Sequence, residues 1–234
     1  MHDFSEAFSA AFRLLVGLDP DLLEIVGLSL RMTFSAALIA ALLGLPAGAA
    51  LALLRFPGRH ALIVLVNALM GLPPVVLGLI LYLLLSRAGP LGVLGLLFTP
   101  TAMIIAQTCL ILPIITALTR QVIEDLAREY DEQLRSLGAG VARSIGTLLW
   151  DGRSSLVTGI LAGFGRAAGE VGSIMIVGGN IDHFTRTMTT AMVLETSRGN
   201  FALSLGLGAV LMALALGVNA GAALLKETAQ RAQG

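Results

Sequence analysis

Three runs of this chain, Met32–Leu54, Ala61–Ser86 and Thr99–Thr119, contain no charged residue. Each is long enough to cross a bilayer core as a helix, which takes about 20 apolar residues. Leu156–Val177 is a fourth such run, interrupted only by Arg166 and Glu170, and Phe201–Leu225 is a fifth. None shows the alternation of a membrane barrel strand, so helices are the expected spans. Charged residues make up 13% of the chain, against about 25% in a typical soluble domain. The expected solvent is therefore lipid, and the expected fold an all-α integral membrane protein with five transmembrane helices.

Five spans put the termini on opposite faces. Arg55 and Arg59, then Arg120, Arg128, Arg135, Arg143 and Arg153, then Lys226 and Arg231 all fall on one side. On the other side, the basic residues are diluted by Asp3, Glu6, Asp19, Asp21 and Glu24. The positive-inside rule makes the arginine-rich side cytoplasmic. This divides the chain into an external segment 1–31, a membrane domain 32–225 and a cytoplasmic tail 226–234. The amino terminus is outside, and residues 120–155 form a cytoplasmic loop. Asp3 and Glu6 stand where a cleavable signal peptide is basic, so the first span is expected to be retained.

The long polar loop is expected to be helical. Ile123, Leu126, Tyr130, Leu134 and Leu137 recur at three- and four-residue steps among charges. Glycine pairs at Gly44/Gly48, Gly159/Gly163, Gly165/Gly169 and Gly217/Gly221 are expected to allow close helix approach. Pro46, Pro73, Pro74 and Pro113 are expected to interrupt helices within the membrane. Gly71-Leu72-Pro73-Pro74 is either a packing kink or the border of a pathway.

Enzyme chemistry finds little support. The histidines are His2, His60 and His183, with no spacing that would hold a metal from one helix. There is no Gly-x-Ser-x-Gly elbow. The single lysine, Lys226, follows Leu225, so the Gly-Lys-Ser/Thr of a phosphate-binding loop is missing. Cys109 lies in an apolar run and reads as a small core residue. With 15 basic and 15 acidic residues, the charge balance suggests no nucleic-acid partner.

Three stretches carry a more specific signal. The loop contains Glu132-Gln133-Leu134-Arg135-Ser136-Leu137-Gly138-Ala139. The fourth span contains Phe164-Gly165-Arg166-Ala167-Ala168-Gly169-Glu170-Val171-Gly172. After it come Val177-Gly178-Gly179-Asn180-Ile181, Thr185-Arg186-Thr187-Met188-Thr189-Thr190 and Glu195-Thr196-Ser197-Arg198-Gly199. Together these resemble the permeases of type I ABC importers, in their oxyanion branch, and the third stretch looks most like the tungstate type. The first stretch is similar to that family's EAA motif, with Gln133 and Leu134 in place of its two alanines. Trp150-Asp151 stands where the family has Leu-Pro.

The resemblance implies a homodimeric permease served by two ATPase subunits and an external or periplasmic substrate-binding protein. The cargo it implies is a tetrahedral oxyanion, tungstate or else molybdate or sulfate. ATP and Mg would be used by the ATPase, with no cofactor on this chain. Glu132, Gln133, Leu134, Leu137, Gly138 and Ala139 would form the coupling helix. Pro73, Pro74, Arg166, Glu170, Asn180, Thr185, Arg186 and Thr189 would border the path or its outer gate. Arg166 and Glu170, four residues apart, can neutralise each other on one helix face. They are either a structural pair or part of the anion path, since charge at membrane depth by default suggests function. A passive anion channel is the rival of another class, but Arg166 is the one cation available at depth to line it.

Overall fold

A computed structural model of the chain describes residues 20–136 and 140–231, together with Phe12 and Gly17. Ordered elements among the described residues are helical, with no strand. They are α1 (Pro20–Leu53), α2 (Arg59–Met70), α3 (Pro74–Leu85), a 3-10 turn (Gly92–Leu94), α4 (Pro100–Glu129) and α5 (Asp131–Ser136). These are followed by α6 (Val141–Asp151), α7 (Arg153–Ala168), α8 (Gly172–Gly178), α9 (Met188–Ser197) and α10 (Phe201–Arg231).

Three helices, α1, α4 and the part of α10 over Phe201–Gly221, are each long and apolar enough to cross a membrane. The count reaches five if α2 with α3, and α7 with α8, are each taken as one broken span. Exposed Phe34, Leu38, Leu42, Leu79, Leu83, Met212 and Leu216 give these helices the apolar outer surface that lipid requires.

The elements differ from the sequence expectation at several points. Helix α1 starts at Pro20, within the segment read as external, and its 34 residues extend about 51 Å at 1.5 Å per residue. A helix does not end where its apolarity ends, so Asp21 and Glu24 simply ride on its first turns. Pro46 and Pro113 lie inside unbroken helices. One proline removes one backbone donor, which a long helix survives. Pro73-Pro74 does break its span, because a residue before proline is driven out of the helical region. Pro73 accordingly sits at φ −63°, ψ 124°, and Pro74 starts α3. The fourth span breaks too, between Ala168 and Gly172. Arg166 and Glu170 therefore do not share one continuous helix.

The chain divides into two compact units. The first comprises Met1–Ala36, Pro73–Gln107 and Ala167–Gly217. Its apolar core joins α1, α9 and α10 through Leu22, Ile25, Met188, Ala191 and Leu207. Helices α3 and α8 meet closely there: a Cβ on Gly78 would lie 2.8 Å from Ser173 Cα, and one on Gly172 would lie 2.9 Å from Val75 Cγ2.

The second unit comprises Ala37–Leu72, Thr108–Arg166 and Val218–Gly234. Ala49, Ile123 and Leu148 are its buried centre, with Leu126, Tyr130, Ile145 and Leu149 packed around them. Gly44 and Gly48 are close-approach points, as is Gly163, whereas a Cβ on Gly165, Gly217 or Gly221 would meet nothing within 4 Å. Glycine spacing marked the first pair correctly, and the last meets no neighbour within the chain. Arg59 draws the end of α1 and the side of α4 together. It donates to Leu51 O at 2.7 Å and to Glu124 Oε1 at 2.6 Å. Arg120 holds Glu124 Oε2 at 2.6 Å.

Candidate functional site

The break in the fourth span sets up the polar centre of the first unit. Ending α7 at Ala168 frees carbonyls that need partners from within the protein where a bilayer excludes bulk water. Gln107 of α4 supplies one donor, its Nε2 lying 3.1 Å from Ala167 O. Thr189 of α9 supplies another, its Oγ1 donating to Glu170 O at 2.7 Å.

Glu170 then starts the next helix. Its Oε1 accepts the Ser173 backbone N–H at 2.9 Å and the Ser173 hydroxyl at 3.2 Å. A carboxylate is well placed at a helix start, where N–H groups are otherwise orphaned. Glu170 is 2% exposed, so its charge is bound into the joint rather than presented to solvent. Arg166 is half-buried in the last turn of α7.

The stretch after the break is more ordered than a loop. Thr185 Oγ1 donates to Gly178 O at 2.6 Å and accepts from Ile181 N at 2.9 Å, closing the turn. Asn180 (φ 50°) and His183 (φ 53°) take left-handed conformations there, which few residues other than glycine adopt without cost. Asn180 Nδ2 lies 3.4 Å from Thr190 O, and Arg186 pairs with Asp182 at 2.6 Å. The threonines then form α9, which Thr187 opens with a capping box closed by Thr190. Ser29 Oγ of α1 accepts the Met188 N–H at 2.8 Å. Thr185, Thr187, Thr189 and Thr190 are all buried, and the hydroxyls of Thr185 and Thr189 are taken up by backbone carbonyls.

The structure thus brings Glu170, Thr189 and the Asn180–Arg186 turn into one unit, together with Pro73 and Pro74 at the start of α3. Gln107, Ser29 and Ser173 join them and were not singled out from sequence. Gln107 is the one amide in an uncharged span, which is the signal that marks it.

The coupling residues belong to the second unit. Glu132 and Gln133 are exposed on α5, which also contains Leu134. Leu137, Gly138 and Ala139 lie outside the described residues. Just beyond them, α6 buries Leu148 and leaves Trp150 69% exposed, with Arg153 4.9 Å from its ring centre.

His183 and Glu24 form an exposed tie, with Nδ1 2.8 Å from Oε2. The Glu24 hydrogen bond, Glu24's charge, and then those of Asp182 and Asp21 raise the His183 pKa above the ordinary 6.5. A raised histidine pKa contributes stability that is complete below 6.5 and lost as pH rises through the folded value. The NMR titration midpoint of His183 is therefore expected above 6.5, falling in Glu24→Gln. An unchanged midpoint in that variant would remove Glu24 as the cause.

Residues 32–228 match the family described as the binding-protein-dependent transport system inner membrane component. A probable anion ABC transporter permease protein of Haloferax volcanii is 41% identical, over 85% of this chain and 88% of its own. The tungstate uptake system permease protein TupB of Peptoclostridium acidaminophilum is 36% identical, over 94% of this chain and 96% of its own. The sulfate transport system permease protein CysT of Salmonella typhimurium is 25% identical, over 85% and 74%. The apolar helices and a family match over most of the length agree. This chain belongs to the inner membrane components of binding-protein-dependent transport systems, the multi-pass permeases of ABC importers.

Proposed function

We propose that this permease carries tungstate into the cell. The observation that carries the substrate is a greater likeness to relatives named for tungstate than to those named for sulfate. The proposed topology counts each broken pair as one span. That gives five spans, the amino terminus outside and the carboxyl terminus in the cytoplasm, on the strength of the arginine-rich loops.

Two copies of the chain enclose one path above two ATPase subunits, and an external binding protein delivers the anion. Glu132, Gln133, Leu134, Leu137, Gly138 and Ala139 seat the coupling helix in the ATPase, which supplies all ATP and Mg chemistry. Pro73, Pro74, Arg166, Asn180 and Arg186 border the path or outer gate. Glu170, Thr185 and Thr189 act there by holding the helix joint and the turn, as their internal hydrogen bonds support. Selectivity then rests chiefly with the binding protein.

The test is uptake of labelled tungstate by cells making the permease, ATPase and binding protein, with molybdate and sulfate as competitors. Tungstate accumulation that requires the ATPase and resists equimolar sulfate and molybdate is the expected result. Displacement by either competitor would overturn the substrate, and uptake without the ATPase would point to a channel.

A further inference from the structure

The polar joint of the first unit forms a small, partly open chamber whose lining includes Ser29, Thr33, Gln107, Thr187 and Thr189. We infer that this chamber is a binding site for one water molecule, held by the Gln107 side-chain carbonyl. Three observations point to a ligand, and one of them to its size.

Gln107 is 3% exposed. Its amide nitrogen is spent on Ala167 O, while its Oε1, fully shielded from bulk solvent, has no hydrogen-bond partner among the described residues. Buried polar atoms are paired with protein or with ordered water, so this acceptor calls for a donor from within the chamber. The chamber volume is about 10 Å³, about the space that one water molecule needs. A tetrahedral oxyanion, with five heavy atoms, does not fit.

The walls also suit water chemically. Water needs two to four polar partners, and the four hydroxyl residues share the lining with Gln107. Water donates to Gln107 Oε1 and retains a second hydrogen, which a neighbouring hydroxyl oxygen can accept. Bound in this way, it completes the hydrogen bonding of the side chain that satisfies the end of α7. The site serves the broken span itself and is independent of which substrate the permease carries.

Three methionines of this unit make the test. Met188 lines the chamber and is 3% exposed, while Met32 at 1% and Met103 at 0% are as buried but do not line it. Brief X-ray exposure of the full chain in detergent turns ordered water into hydroxyl radicals that oxidise side chains where they form. Mass spectrometry is expected to find Met188 oxidised while Met32 and Met103 stay at background. Met188 as protected as those two would overturn the site. In Gln107→Leu, Met188 oxidation is expected to drop to the level of Met32 and Met103. Undiminished oxidation there would overturn Gln107 as the water's ligand. If that variant does not fold, the comparison within the unaltered chain decides alone.

Discussion

Gly48→Val is expected to abolish recovery of folded permease from membranes. A Cβ at Gly48 would lie 2.5 Å from Thr116 O, 2.7 Å from Thr119 Cβ and 3.0 Å from Arg120 N. Two of those atoms are backbone, so no side-chain rotation relieves the clash. The helices cannot easily part either, because Ala49 and Ile123 are buried alongside, and Arg59 ties Leu51 O of α1 to Glu124 of α4 at 2.7 and 2.6 Å. Overpacking in a core that can adjust costs about 1–3 kcal/mol. A backbone clash exceeds that range and consumes much of a total stability of about 5–15 kcal/mol. Gly27→Ala is the control, since nothing lies within 4 Å of the added carbon. It should gain up to about 1 kcal/mol of helix propensity. Size-exclusion profiles and melting in detergent read both. A monodisperse Gly48→Val protein with unaltered melting would show that α1 and α4 are not in close contact there.

Gly138→Pro is expected to leave membrane insertion intact and reduce ATPase association, and with it transport, to background. Helix α5 ends at Ser136 and α6 begins at Val141, and Gly138 lies between them in the sequence. Glycine is suited to ending a helix and reversing its direction, whereas proline fixes φ and removes a donor. The fold should survive because Ile145, Leu148 and Leu149 of α6 still pack beside Ile123 and Leu126 of α4. Co-purification with the ATPase is the direct readout. A variant that still binds the ATPase and transports normally would sink the coupling assignment for this loop.

Much of this protein was legible in its residues. Uncharged runs of 21 residues or more can be stable only in lipid, and in lipid an isolated run must be helical. The break at Gly71–Pro74 was equally readable, because two adjacent prolines disfavour the helical conformation by local sterics alone. Helical character between Arg120 and Asp151 followed from the spacing of Ile123, Leu126 and Tyr130, and these residues do pack against α1 and α6.

Other features depended on neighbours distant in sequence. Pro46 and Pro113 looked like breaks but lie in continuous helices. The fourth span looked continuous and is broken at Gly169–Val171. A break inside a membrane survives only where donors and acceptors satisfy the freed backbone. The ones used here are Gln107 from 60 positions upstream and Thr189 from 19 positions downstream of their partners, with Glu170 acting locally on Ser173. The same constraint redirected the threonines. From sequence they could face a passing anion or cap a loop, and the folded chain turns the Thr185 and Thr189 hydroxyls onto backbone carbonyls. Sequence alone determined that this chain lives in lipid as helices, because transfer energies and local sterics act residue by residue. Only the tertiary structure decided where a helix could break and which polar groups were spent inside, because in a low dielectric a hydrogen bond depends on what the fold brings within 3 Å.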